Sequence, residues 1–479
     1  MRSQFTLSGV EELDIYFTFS LQYHYIVKIK FMKYFESLYS VNSRNKEIEQ
    51  ILTFIKEGTS CQTVSLPGGG RSNLLELLSY NKAIRTKHLG ENQKSFHFVL
   101  LNFSEVRNKP LTDAIKFLLL SLIDSLRDRR MDEEVKTLKE IFDANAISND
   151  ELILFHGLKR AIEYLALEKN LTVVLLFDRF EEYIPMLTSE FFTNLRILRN
   201  LAKYRFSVVF SLNRPLEDLI DYATLADFYD FIAGHIVYLD LFDKLGIDFR
   251  IAYIEKASDK KVHKKVLEAI FALTGGHGKL TRLCVEAILA FSYQRLGSSS
   301  QFEKFLLEQK PIQGALLEIW NSLTPAEQNI LATKRHSGQA RMTDEDYFYL
   351  QNVGLFKKNK TTIKIIDAFI KQKPQHQITT QNITFDLNTN EVKKGSLLLS
   401  DKLTSFEFNL LKFLLQNSNR ILEREEIISA VWKDEKSTAG VTDQALDQLI
   451  FRVRRKIESD PNNPMHLQTV KGRGFRFVP

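Results

Sequence analysis

Near the C-terminal end of this chain, one helical stretch with two chemically different faces is followed by a glycine-turned hairpin. That pairing is the strongest constraint on the fold. Residues 442–457 read as a helix, with Thr442 or Asp443 offering an N-cap oxygen. At about 100° per residue, Leu446, Leu449, Ile450, Val453 and Ile457 fall on one stripe, which has to pack on a core. Gln444, Gln448, Phe451 and Arg455 fall on the opposite side, with Arg452 at its edge. Further on, Gly472 and Gly474 flank Arg473 and give a tight turn its freedom of φ. Phe475 and Phe477 alternate with Arg476, as in a half-buried strand.

The outward face of that helix has a specific chemistry. Amide and guanidinium groups make paired hydrogen bonds to base edges in a major groove, and a ring touches a thymine methyl. A merely solvated helix more often shows Glu and Lys, and rarely exposes Phe. Lys471 and Arg473 sit at the hairpin tip, where a cation reaches phosphate or the minor groove. Upstream, Thr404 and Glu407 have capping-box spacing, and Phe406, Leu410, Leu411, Leu414 and Leu415 follow at helical spacing. Residues 421–432 make a second helix. Residues 378–399 alternate polar and apolar around Asn388-Thr389-Asn390, as short antiparallel strands do.

This order of small sheet, three helices and hairpin resembles the C-terminal domain of OmpR/PhoB-type response regulators. The matching pieces are Leu403-Thr404…Glu407-Phe408, Glu423-Arg424-Glu425…Val431-Trp432, Val441-Thr442-Asp443, Ile450…Val453-Arg454-Arg455-Lys456, and residues 469–477. The resemblance covers about residues 377–479 and implies a helix in the major groove of double-stranded DNA, with the hairpin as a wing in the adjacent minor groove. It also implies tandem or paired binding, as a homo-oligomer on repeated half-sites. The loop at 433–440 corresponds to the segment that touches RNA polymerase in some members. Its Lys, Glu, Ser and Thr content is equally that of a solvated loop.

The whole chain has 479 residues, 44% hydrophobic and 26% charged, which is enough for several cores. Its net charge of +6 fits a partner that carries phosphates. Cys61 and Cys284 are the two cysteines, too few for a disulfide framework or a zinc pattern, so a reducing cytoplasm is expected. No run of 18 or more apolar residues occurs, so no membrane span is expected. Residues 1–31 are aromatic-rich but interrupted by polar residues, unlike a signal peptide. They read as an extension upstream of Met32, or alternatively as an added strand or partner-binding segment.

A second constellation begins at Thr63-Val64-Ser65-Leu66-Pro67-Gly68-Gly69-Gly70-Arg71-Ser72, a strand, a glycine-rich loop and a helix start. Such a loop turns backbone N–H groups around phosphate, and the helix dipole adds to the attraction. Arg71 stands where a phosphate-binding cation belongs, and Ser72 where a hydroxyl holds Mg2+. A Walker A loop ends in Gly-Lys-Ser/Thr, so Arg71 departs from it, as does Ser65 in place of the first glycine. A buried strand then ends in Asp178, which fits the Mg2+ shell. Arg179 follows it in place of a second acid, leaving Glu181 or Glu182 to orient water as the catalytic candidates. Another strand ends in Asn213-Arg214. In 274–282, His277 and Arg282 are placed to touch nucleotide, although a surface-loop histidine is the plainer reading of His277.

Over about residues 34–300 this order of parts resembles the AAA+/STAND group of P-loop ATPases, near the origin-recognition-like branch. Arg44 and Glu47 are similar to its Gly-Arg-x-x-Glu motif, with Ser43 in place of glycine. The resemblance implies ATP or ADP with Mg2+ at Gly68, Gly69, Gly70, Arg71, Ser72, Asp178, Asn213, Arg214, His277 and Arg282. Hydrolysis is weak or absent where both the lysine and the second acid are missing; a fold that binds nothing is the bland alternative.

Five strands alternating with helices give an α/β core, a parallel sheet between helices. A helical lid and two winged helices follow. The expected order is an extension at 1–31, the P-loop domain at 32–240, a lid at 241–312, a middle winged helix at 313–373 and the C-terminal winged helix at 377–479. Lys373-Pro374-Gln375-His376-Gln377 is the expected hinge. The functional expectation is a nucleotide-regulated, sequence-specific transcriptional regulator. The rivals are an origin or plasmid replication initiator and an active STAND-type ATPase effector.

Overall fold

The computed structural model describes residues 35–241, 243–291, 299–333, 344–357, 360–372, 383–386, 391–394, 397–400, 403–418, 420–432, 443–458, 461, 464–470 and 473–478. Residues 1–31, the hinge at 373–377, the loop at 433–440, Thr442 and Lys471 lie outside these. The chain divides into two compact units, Met1–Gln372 and Lys373–Pro479.

The first unit is built on five parallel strands: β1 (Cys61–Val64), β2 (Phe96–Asn102), β3 (Thr172–Asp178), β4 (Phe206–Leu212) and β5 (Ile236–Tyr238). Their order across the sheet is β2-β3-β4-β1-β5. The near-continuous apolar runs of β3 and β4 follow from burial on both faces. One face packs an aromatic cluster that includes Phe103, Phe177, Phe180 and Phe210. The other packs Ile48, Leu74, Leu78, Val174 and Val209. With all strands parallel, the loops after β1 and β3 open at the same edge, where ligands of such sheets sit.

Three helices follow β5, at Lys244–Ser258, Lys264–Thr274 and Gly278–Ala290. They share one core with the segment beyond them: Leu280 and Ile288 join Ile319, Leu350, Phe356 and Ile366. The middle winged helix expected at 313–373 therefore does not have a core of its own among the described residues. The physical reason is size. The two-residue strands Phe356–Lys357 and Lys360–Thr361, with short helices around them, cannot bury their apolar faces alone.

The second unit has a three-stranded sheet of Ile383–Asp386, Glu391–Lys394 and Leu397–Leu398. Helices at Ser405–Gln416, Arg424–Val431 and Asp443–Ile457 follow. Ile421 and Leu422, read as the start of a helix, instead form a short strand paired with Gly474–Phe477, which also pairs with Leu467–Val470. Gly474 has φ 117°, and a Cβ there would run into the Leu422 carbonyl oxygen, so the wing closes only with glycine.

Candidate functional site

The glycine loop, the end of β3 and the first and third lid helices enclose a cavity of about 440 Å³. Gly68, Gly69, Gly70, Arg71, Ser72, Asp178, Glu181, Glu182 and Arg282 all line it. Gly70 precedes the helix Arg71–Tyr80 with φ 104°, turning the chain so that the helix N-terminus faces the cavity.

The charged groups here are largely satisfied by one another. Ser72 Oγ donates to Asp178 Oδ1 at 3.0 Å. Arg71 Nη2 donates to Glu181 Oε1 at 2.8 Å. Glu182 accepts from Arg107 and pairs with Arg179 at 3.4 Å. Arg282 pairs with Glu286 at 2.7 Å. Arg44 Nη2 donates to the Gly69 carbonyl at 2.9 Å and Nη1 to Glu47 at 2.9 Å, bracing the loop from below. Three buried atoms at the cavity lack a hydrogen-bond partner among the described residues: Arg71 Nη1, Asn73 Nδ2 and Glu181 Oε2. Burial, then the neighbouring charge of Glu36, pushes the Glu76 carboxyl up to about 8.

Three residues read as nucleotide contacts have other partners and do not line this cavity. His277 is buried; its Nε2 lies 2.9 Å from the Pro67 carbonyl, and its Nδ1 accepts from the Leu280 N–H at 3.2 Å. Burial lowers its pKa to about 4, so it is a neutral helix cap that seats the lid on the loop. Arg214 pairs with Glu327, which is 1% exposed, and lies over the Tyr349 ring at 4.2 Å. The Asn213 carbonyl accepts from the Tyr349 hydroxyl at 2.7 Å. Asn213 and Arg214 thus fasten the sheet to residues 313–373, a role that sequence order alone does not distinguish from a nucleotide contact. Conversely, Lys279, Arg250, Asn73 and Glu76 line the cavity without having been read from sequence. A cation one position into the helix after Gly276-His277-Gly278 is a signal for Lys279. Arg250 lies on a helix whose sequence has no such marker.

In the second unit, Leu446, Leu449, Ile450, Val453 and Ile457 of Asp443–Ile457 are buried, as the stripe requires. Gln444, Gln448, Phe451, Arg452 and Arg455 are exposed, Phe451 at 49%. No hydrogen bond or ion pair holds any of these side chains among the described residues. The helix itself is well anchored. Arg424 pairs with Asp443 and Asp447, and Lys456 with Glu407, whose capping box with Thr404 is present. Arg454 donates to the Leu467 carbonyl at 2.9 Å and to Thr469 Oγ1 at 2.8 Å, fixing helix to wing. The Glu458 carboxylate accepts the N–H groups of Met465, His466 and Leu467. Arg473 is exposed at the wing tip.

Residues 401–477 match the family described as "Transcriptional regulatory protein, C terminal". The chain is 33% identical over 122 residues to the protein PetR of Rhodobacter capsulatus, covering 24% of this chain and 51% of that protein. It is 46% identical over 71 residues to the sensory transduction protein RegX3 of Mycobacterium tuberculosis, covering 15% of this chain and 30% of that one. The chain therefore spans about half, or less, of the length of these curated relatives. Among solved structures it is similar to the Walker-type ATPase PABY2304 of Pyrococcus abyssi, at 13% identity over 68% of this chain and 95% of that chain, with a TM-score of 0.42.

The C-terminal segment is a winged-helix domain of the OmpR/PhoB type found in DNA-binding transcription regulators. The N-terminal unit carries a five-stranded parallel sheet with a glycine loop between its first strand and the following helix. Among the described residues, no helix is long and apolar enough to cross a membrane.

Proposed function

We propose that this chain is a nucleotide-regulated, sequence-specific transcriptional regulator that binds double-stranded DNA through its C-terminal winged helix. The observation that carries the reading is the free outward face of Asp443–Ile457, anchored from behind and carrying Gln444, Gln448, Phe451, Arg452 and Arg455. Amides and guanidinium groups on a rigid helix read base edges directly. Lys471 and Arg473 of the wing supply phosphate or minor-groove contacts, which position the domain without specifying sequence.

The cavity is the regulatory half. A nucleoside phosphate fits its chemistry: a glycine loop at a helix N-terminus, an arginine with an open donor, and an unpartnered Asn73 amide. Ser72 and Asp178 would hold Mg2+, which supplies charge neutralisation between phosphate oxygens. Arg71 departs from the usual lysine and Arg179 from the usual second acid, so binding is expected with slow turnover or none. Nucleotide influences DNA binding only by favouring one arrangement of the chain over another. Two chains paired on adjacent half-sites gain affinity through effective concentration, so a bias toward pairing is sufficient.

The test is selection of bound DNA from a random pool, with and without ATP, ADP and Mg2+. Recovery of a repeated half-site whose enrichment depends on nucleotide supports the proposal. Enrichment of nothing above background refutes it, and a nucleotide-independent motif removes the regulatory half. Genomic sites confined to one replication origin instead of promoters would favour an initiator. Calorimetry on Arg71→Ala, expected to weaken nucleotide binding, checks the cavity separately.

A further inference from the structure

Glu181 or Glu182 was expected from sequence to orient water. The surroundings of Glu181 give it another task. Its carboxylate Oε1 accepts from Arg71 Nη2 at 2.8 Å, with the two side chains 22% and 13% exposed. In so dry a setting a charge-assisted hydrogen bond is strong. The pair uses half of each group. Arg71 Nη1 and Glu181 Oε2 are both buried and lack a hydrogen-bond partner among the described residues. One nitrogen of the guanidinium thus lies buried with its hydrogen-bonding capacity unused, while the other is covered by a fixed negative charge.

Glu181 is also held in place. It sits on the short turn Phe180–Glu182, whose Phe180 ring is fully buried against Phe103, Phe177 and Phe210. Glu182, the next residue, is pinned by Arg107 and Arg179. A side chain on this shelf is poorly placed to swing as a general base. The other cations at the cavity are also engaged: Lys279 is paired with Glu318 at 2.5 Å, Arg282 with Glu286, Arg44 with Glu47 and Arg179 with Glu182, while Arg250 donates to the Tyr39 hydroxyl at 2.8 Å.

Resting on the nucleotide reading above, we infer that Glu181 stands in for a terminal phosphate on Arg71, so that the cavity takes a nucleoside diphosphate in preference to a triphosphate. The diphosphate satisfies the unpartnered donors Arg71 Nη1 and Asn73 Nδ2 and leaves the Arg71–Glu181 pair intact. A third phosphate meets the Glu181 carboxylate and has to displace it from Arg71. Glu181 therefore sets which nucleotide state the protein rests in.

The experiment is calorimetric titration of the full chain with ADP and with ATP, each with Mg2+ and with chelator. The parent and Glu181→Gln are compared, with thermal unfolding in the absence of nucleotide to verify the fold. Hydrogen bonds to charged groups are large enough that the parent should bind ADP about tenfold or more tighter than ATP. Glu181→Gln, which keeps the shape and removes the charge, should bring the two within about threefold, chiefly by tightening ATP. Glu181→Ala serves as the second variant if the glutamine form does not fold, with the same direction expected. Equal affinities in the parent overturn the inference, as does an unchanged ADP-to-ATP ratio in the variants. A purely structural Glu181 would weaken both nucleotides alike, which also overturns it. If neither nucleotide binds parent or variant, the nucleotide reading itself fails.

Discussion

The glycine-loop cavity and the outward face of the helix Asp443–Ile457 both gather polar and cationic side chains, but they treat them in opposite ways. In the cavity, Arg71, Ser72, Arg44, Arg282 and Lys279 are each tied to a neighbouring side chain. On the helix, Gln444, Gln448, Phe451, Arg452 and Arg455 stand in solvent. The difference is dielectric. Inside a cleft an unpaired charge costs several kcal/mol, so partners are built in and a ligand has to exchange with them. On a surface, water satisfies the donors cheaply, and they stay available for a groove. The first region is held together by ion pairs, and among the described residues none engages these side chains in the second.

That contrast can be broken most decisively on the helix. Gln448→Ala with Arg455→Ala should remove specific DNA binding by about 2–6 kcal/mol, taking about 1–3 kcal/mol for each base contact. Weak, salt-sensitive binding should remain. The unfolding midpoint should not move, because neither side chain contributes to packing. A matched pair of binding isotherms and melts tests both halves, and a large loss of stability would erase the distinction drawn here.

The opposite outcome is expected in the first unit. Arg214→Ala removes the guanidinium that pairs with Glu327, which is 1% exposed. Stability should fall by about 3–5 kcal/mol in denaturant titration. A change near zero would mean that the pair is solvated, and that the core of residues 313–373 is looser than its packing suggests.

Next in size is a pH effect. His277 has its pKa lowered to about 4 by burial and His97 to about 3, against 6.5 for the free side chain. Between those values the unfolded chain binds protons that the fold excludes. Their stabilising contribution is therefore complete above pH 6.5 and is lost as pH falls toward about 4 for His277 and about 3 for His97. For His277 the loss amounts to about 2 kcal/mol between pH 7.5 and 5. Glu76 slopes the other way, since its contribution is present below its ordinary value and is lost as pH rises through about 8. Comparing parent with His277→Asn, which keeps a capping oxygen, isolates the histidine. The difference between their stabilities should shrink as the solution is acidified.

The smallest effect concerns the wing. Arg473→Ala should reduce the slope of log affinity against log salt by about one phosphate contact and weaken all DNA sequences nearly uniformly. A change in sequence preference would make Arg473 a base reader instead.

The C-terminal domain was legible in detail before any coordinates. A buried stripe with a 3.6-residue period, a capping box at Thr404 and Glu407 and a glycine-closed hairpin are local patterns, each satisfied within a few residues. The strands of the first unit rest on patterns of the same local kind: β2, Phe96–Asn102, is a mostly apolar run. The cavity was only half legible. Its glycine loop and Asp178 carry local signatures, whereas Asn73, Glu76 and Arg250 reach it from helix faces that look ordinary in sequence.

Sequence alone determined the parts: a glycine loop before a helix, an acid ending a buried strand, and a helix with an apolar back and a polar front. Local spacing and side-chain chemistry are sufficient for these. Only the tertiary structure decided the partnerships, giving Arg214 to Glu327, His277 to the Pro67 carbonyl and Arg71 to Glu181. The last of these joins residues 110 positions apart. Pairings of that range depend on how the β-strands order themselves and which faces they bury, and no pattern confined to one segment encodes that.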